Sequence, residues 1–437
     1  MAARQLGDHR RGQPAGDRGG QNGSPPFCRR RYRRKARLPE DRSGHQQARR
    51  GAEEPDRHPG FPGDESDHPR GWRHRGRGRG HQEVRAGQLS PAAINPVIQG
   101  GWGLRASLAL AALLVLAFSI GLAVSIGEVP IPLFATYQAI ANKLFGTAFE
   151  LSRIQEGIIW DYRLSRALVA ACCGGALAIS GAILQALLRN PLAEPYVLGI
   201  SAGASTGAVA VMILGIGAGL VTLSMGAFAG AVIAFILVTL LAAGAGGGSD
   251  RIILAGVAGS QLFNALTAYV VTTSANAEQA RGVMFWLLGS LGGVRWEDVY
   301  LAAPIAIIGF AVCQLHARAL DAFTFGIDAA AALGIPVLRV RLILFGLTAL
   351  MTATMVGIVG SIGFVGLVVP HAARFLVGPA HARLLPASLM IGAVFMVLAD
   401  IVSRIIVPQQ ILPIGVVTAL FGAPAFALIL YRARKPQ

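Results

Sequence analysis

Charge is what this 437-residue sequence has least of: Asp, Glu, Lys and Arg make up 14% of it, while 53% is hydrophobic. Soluble domains keep about a quarter of their residues charged, so the composition excludes an ordinary soluble protein. Cysteine is scarce as well. Of Cys28, Cys172, Cys173 and Cys313, two adjoin in an apolar run and none has metal-ligand spacing, which leaves small buried hydrophobes rather than a disulfide framework or a zinc site. No Gly-x-x-x-x-Gly-Lys-Ser/Thr segment occurs, so the chain cannot cradle ATP phosphates itself. Carboxylates are nearly missing from the middles of the apolar runs. That weighs against a secondary transporter driven by an ion gradient, which needs ionisable groups at mid-membrane.

What is present falls into two unlike parts. From Met1 to about Ser90 the chain is Arg, Gly, Pro, His and Gln with almost no Leu, Ile or Val, and it holds over half of the net charge of +16. Such a segment cannot bury enough apolar surface to offset the entropy of ordering its backbone. Residues 1–95 are therefore read as a disordered basic extension, and residues 96–437 as a membrane domain. Three readings compete for the extension: a nucleic-acid tail around Arg77-Gly78-Arg79-Gly80, an anchor for anionic lipid, and a start codon assigned too far upstream. The last is preferred. The aromatics Phe27, Tyr32, Phe61 and Trp72 are too scattered to stack bases, and no nucleic-acid partner is expected.

A helix needs about 20 apolar residues to cross the hydrocarbon core. Runs of that kind lie at 106–124, 167–188, 197–214, 221–241, 252–271, 299–315, 342–359, 362–377, 385–406 and 414–431. The fold class is therefore all-α, a polytopic membrane protein of about ten transmembrane helices. The piece 283–291 is too short to cross and reads as re-entrant or interfacial. Arg189, Arg251, Arg318, Arg339, Arg341, Arg374 and Arg383 fall in loops of one side, which by the positive-inside rule places both termini in the cytoplasm. Small residues recur within the spans, as in Gly199-Ile-Ser-Ala-Gly203 and Gly226-Ala-Phe-Ala-Gly230, and let helix backbones approach closely. Asp400, His371 and Arg374 are ionisable residues inside apolar runs. Asp400 is read as the i, i+4 partner of Arg404, and His371, beside Pro370, as shaping a helix break.

Several stretches go further. Arg163-Leu-Ser-Arg166, Gly181-Ala-Ile-Leu-Gln-Ala-Leu-Leu-Arg-Asn-Pro-Leu-Ala-Glu-Pro195, Leu198-Gly-Ile-Ser-Ala-Gly203, Gly363-Phe-Val-Gly-Leu-Val-Val-Pro-His371, Ala399-Asp400 and Leu412-Pro-Ile-Gly-Val-Val-Thr418 occur in this order. Together they resemble the FecCD family of ABC importer permeases, which serve vitamin B12, haem and ferric siderophores, over about residues 106–435. The resemblance implies the type II ABC importer permease fold, with no cofactor and no catalysis of its own. It also implies a partner at each face: a second copy or a paralogous permease alongside, ATP-binding cassette subunits inside, and an extracytoplasmic substrate-binding protein outside, all in the lipid of the inner membrane.

Residue by residue, the resemblance places Arg163, Arg166 and Arg404 where carboxylates of the binding protein dock, a role that suits bidentate guanidinium forks. Membrane-interface anchoring would also place arginines there. Asn190 and Leu192 match positions that narrow the pore in the vitamin B12 permease, and Ser249 and Asp250 match its other constriction. Helix capping by Ser249 or Asp250 is the plainer alternative. The run Phe325, Gly326, Ile327, Asp328 through Leu333, Gly334, Ile335 and Pro336 resembles the coupling helix that inserts into the ATPase, its end marked by Gly334 and Pro336. The implied cargo is an iron–siderophore, with haem and cobalamin as alternatives.

Overall fold

The computed structural model describes residues 102–127, 129–246, 248–408 and 410–433. The expected disordered extension over 1–95 lies outside the described residues. Fifteen helices follow in order: α1 (Trp102–Ser125), α2 (Leu133–Phe145), α3 (Arg153–Gly157), α4 (Ser165–Leu187), α5 (Ile200–Met212), α6 (Leu223–Gly244), α7 (Ser249–Ser274), α8 (Ala277–Leu287), α9 (Trp296–Leu315), α10 (Ala317–Thr324), α11 (Ile327–Ala332), α12 (Val337–Val359), α13 (Val365–Val377), α14 (His381–Ile405) and α15 (Ile414–Ala433). No strand occurs among the described residues. Seven helical stretches are long and apolar enough to cross a membrane, and α5, α13 and most of α15 are shorter apolar helices. All ten expected spans are thereby helical.

One helix forms the axis of the bundle. In the stretch from Arg153 to Leu187, which runs through α3, a π-helical turn (Ile158–Leu164) and α4, 89% of the apolar window is buried, against 22% in α1. Around α4 stand α9, α12, α13 and α14. Small residues set how closely they come. A Cβ added to Gly174 would overlap the Gly392 carbonyl of α14, and one on Gly181 would overlap the Gly366 carbonyl of α13. Between α5 and α6, Gly207 meets Gly226 and Gly203 meets Gly230 in the same way. In lipid no hydrophobic force drives helices together, so close backbone contact at such positions supplies the attraction.

Two of the expected spans, 197–214 and 362–377, prove shorter than an unbroken apolar run suggests. Their helices begin only at Ile200 and Val365, after Gly199 (φ 74°) and Phe364 (φ 69°), both in left-handed backbone. Hydropathy cannot see this, because the unwound residues are as apolar as the helical ones. Gly181, which touches the start of α13, lies sixteen residues along α4, ~24 Å from its first residue. α13 therefore starts inside the bundle. Its irregular lead-in is satisfied within the protein, as backbone at membrane depth has to be. Tyr196 Oη donates to the Ile362 carbonyl and accepts from its N–H, both at 2.7 Å, and Ser201 Oγ lies 2.7 Å from Ser361 Oγ. The turn after α8 joins the same junction: Ser290 N–H donates to Val359, while Ile414 and Gly415 N–H donate to Gly289 and Leu288. The piece expected as re-entrant is thus α8 and a turn that caps the start of α15.

Candidate functional site

At the first end of α4 three arginines converge. Asp400 on α14 is only 1% exposed, and Arg166 holds its Oδ1 with Nε at 2.8 Å and Nη2 at 2.7 Å. Arg404, one turn along α14, places Nη2 3.0 Å from Oδ2. The expected Asp400–Arg404 pair is present, and Arg166 completes a triad. A lone buried carboxylate at this depth is costly, and two guanidiniums offset that cost. They also leave one positive charge in excess.

Arg163 is turned elsewhere. It sits in the π-helical turn whereas Arg166 belongs to α4, and the change of pitch sends the two side chains to different partners. Arg163 Nη1 donates to the carbonyls of Val124 (2.8 Å) and Ser125 (3.2 Å), and Nη2 to that of Val129 (2.6 Å). Arg404 adds bonds to Ile126 (2.6 Å) and Ala123 (2.9 Å). The last carbonyls of a helix have no partner within it and carry the negative end of its dipole. Two arginines thus cap α1 from outside, a task the sequence pattern did not reveal. Trp160 stacks on Trp296 at 4.8 Å at this same end, with Tyr300 beside them, as an aromatic belt at an interface would.

At the other end of α4 lies the loop with Asn190 and Leu192. Asn190 Oδ1 accepts from Leu192 N–H at 2.9 Å, an Asx turn that leaves the Leu192 side chain exposed. Ser249 and Asp250 open α7, but neither caps it: the cap residue is Gly248, with no side-chain bond. The capping alternative for Ser249 and Asp250 therefore fails. Among the described residues no hydrogen bond joins the two pairs.

The Phe325–Pro336 run forms a six-residue helix, α11, closed by Gly334 in left-handed backbone (φ 79°). Gly334 N–H donates to Ala331 and Ile335 N–H to Ala330, the Schellman arrangement that a glycine there predicts. Phe325 is 81% and Leu333 73% exposed, so the turn presents apolar side chains that nothing among the described residues covers. A Cβ built on Gly326 would lie 3.5 Å from the Arg189 guanidinium, which brings the Asn190–Leu192 loop and this turn together. Beneath them α10 is anchored: Asp321 Oδ1 accepts from the N–H (2.9 Å) and Nδ1 (2.7 Å) of His381, the first residue of α14.

Two prolines expose further polar ties. Pro370 in α13 has no N–H for the Gly366 carbonyl, and Gln185 Nε2 of α4 donates there at 3.3 Å while its Oε1 accepts from Arg374 (2.5 Å). Pro386 likewise leaves the Ala382 carbonyl, which Gln314 Nε2 takes at 2.9 Å. His371 bonds its own helix through Nδ1 to the Leu367 carbonyl, and among the described residues no cluster of His, Cys, Asp and Glu could hold a metal.

The pattern that defines the FecCD transport family matches residues 113–432, which takes in every site residue just described. The chain belongs to the FecCD transport family. Its relatives agree. The chain is 40% identical to the cobalamin import system permease protein BtuC of Halobacterium salinarum over 283 residues, 64% of this chain and 75% of that one. It is 38% identical to the Fe(3+)-citrate import system permease protein YfmE of Bacillus subtilis, over 69% of this chain and 90% of that one, and 38% identical to the Fe(3+) dicitrate permease FecD of Escherichia coli, over 63% and 86%. Among solved structures, an inward-facing transporter of the metal-chelate ABC type superposes with a TM-score of 0.65 at 28% identity, covering 75% of this chain and 99% of that one. This FecCD chain is an ABC importer permease, and its architecture is the type II importer permease fold.

Proposed function

We propose that the protein is the transmembrane permease subunit of an importer for ferric chelates of the siderophore kind. In this reading two copies enclose the pathway in the inner membrane, and ATP is hydrolysed on partner subunits. The observation that carries it is the placing of two unlike surfaces at opposite ends of α4: arginines with one charge in excess at its start, exposed apolar side chains beyond its end. A guanidinium cluster suits the carboxylates of a docking binding protein, and Phe325 with Leu333 suits a groove on an ATPase. Arg189, Arg251, Arg318, Arg339 and Arg383 gather at the second end, which supports that end, and both termini, as cytoplasmic. Arg163, Arg166 and Arg404 then act as docking residues, and Asn190, Leu192, Ser249 and Asp250 as the cytoplasmic gate.

The ferric cargo is supported by the metal-chelate type of the solved neighbour and by the ferric citrate relatives. The cobalamin relative supports a second reading of equal identity. Uptake of labelled iron as ferric siderophores and as haem, with labelled cobalamin in parallel, in cells lacking this gene separates the two. Loss of one ferric siderophore, restored by the wild type but not by R163E/R166E, is the expected result. Intact iron uptake with failed cobalamin uptake would overturn the iron assignment.

A further inference from the structure

On the flank of the bundle, between α6 and α12, two apolar cavities of about 290 and 270 Å³ adjoin. Phe235 and Gly346 border both, so the two form one groove. Along α12 it extends from Leu338 to Ala353, fifteen residues or ~22 Å. That exceeds the ~15 Å of one leaflet in a hydrocarbon core ~30 Å thick, enough length for an extended acyl chain. Its floor is kept open by small residues, Gly346, Ala349 and Ala353 on α12 facing Ala231 on α6. At one mouth stands a single charged side chain, Arg341, half-buried over the Phe345 ring at 5.8 Å. Among the described residues it takes part in no ion pair. Arg339 is exposed two residues away, and Arg251 folds onto the Ala245 carbonyl at the end of α6, beside the groove wall formed by Ala242 and Ala243.

We propose that this groove holds one anionic phospholipid, an acyl chain lying along α12 and the phosphate on Arg341. A cation at the rim of an apolar channel needs an anion as water is withdrawn from it, and a lipid phosphate supplies one where the described residues lining the groove include no carboxylate. The site requires only that the chain spans a bilayer, not that the cargo or docking assignments hold. Ile252 in the groove wall is two residues from Asp250, so the lipid braces the start of α7.

The test is native mass spectrometry of the full chain in detergent, titrated with phosphatidylglycerol and with phosphatidylcholine of the same acyl chains. One phosphatidylglycerol per chain is expected, held about fivefold tighter than phosphatidylcholine. R341Q should abolish that preference and R339Q should keep it. G346L should block both lipids. Nothing lies within 4 Å of a Cβ added to exposed Gly346, so the new side chain enters the groove without displacing protein, and losing a mid-helix glycine favours folding. Equal retention of the two lipids, unchanged in R341Q, would mean an adventitious annular lipid and would overturn the proposal. Disulfide capture of a second chain through G346C would do the same.

Discussion

Asp400 concentrates more consequence than any other side chain in the arginine cluster at the start of α4. It is 1% exposed and stands between Arg166 and Arg404, which are 13% and 9% exposed. Removing its charge leaves two buried guanidiniums facing each other, and breaking a buried pair in that way costs about 3–5 kcal/mol. Asp400→Asn is therefore expected to unfold at clearly lower temperature in detergent. The double variant Asp400→Asn/Arg404→Gln should be less destabilised than the sum of the two single changes, because the residues share one interaction. Additive losses in a thermal melt would mean that the triad contributes little. Arg163 differs in kind. Its bonds go to the carbonyls of α1 and to Val129, so Arg163→Ala should loosen the α1–α2 connection while Arg166 still holds Asp400. Hydrogen exchange confined to residues around Ser125 is the expected signature.

Elements explain why some glycines are tolerant and others are not. Gly174→Ala would drive a Cβ into the Gly392 carbonyl, so α4 and α14 would have to separate, an overpacking cost of about 1–3 kcal/mol. Gly346→Ala meets open space and should stabilise α12 by up to ~1 kcal/mol. Opposite shifts in melting temperature check the pair. Proline gives a second element-scale test. Gln314→Leu removes the donor to the exposed Ala382 carbonyl at a net cost of about 1 kcal/mol, and Pro386→Ala restores an N–H to that carbonyl from within α14. The second change should recover most of what the first loses. These ties show where sequence reading stopped. The ten apolar runs, the Asp400–Arg404 pair at i, i+4 and the glycine stop of α11 were legible, because each is a local pattern of spacing. The late starts of α5 and α13 were not, since their unwound lead-ins are equally apolar. The α1 caps joined residues far apart in sequence, and the π-helical turn that separates Arg163 from Arg166 had no signal. Pro370 and Pro386 did carry a usable one, as each announces a carbonyl four residues earlier that some side chain must satisfy.

At the scale of the molecule, α14, like α4, reaches both candidate surfaces. Its last turns carry Asp400 and Arg404, and its first residue is clamped to Asp321 of α10, from which the exposed α11 turn hangs. A rigid helix tied at both ends can pass a displacement from one face to the other, provided that each end moves with its own partner. This assigns separable losses to the two ends. Phe325→Ala/Leu333→Ala removes exposed apolar surface that nothing among the described residues covers, so its thermal stability should stay within ~0.5 kcal/mol of wild type. If these side chains are anchors for an ATPase, losing about 2 kcal/mol of contact weakens association ~30-fold. Co-purification of the ATPase should then fall while binding-protein capture persists. Asp321→Asn should give a third pattern, with both partners retained but transport lost per ATP hydrolysed, because the clamp between α10 and α14 is loosened while both surfaces remain. Undiminished transport in Asp321→Asn would mean that motion reaches the Asp400 end through α4, which packs against α10 as well, and that α14 is only a strut.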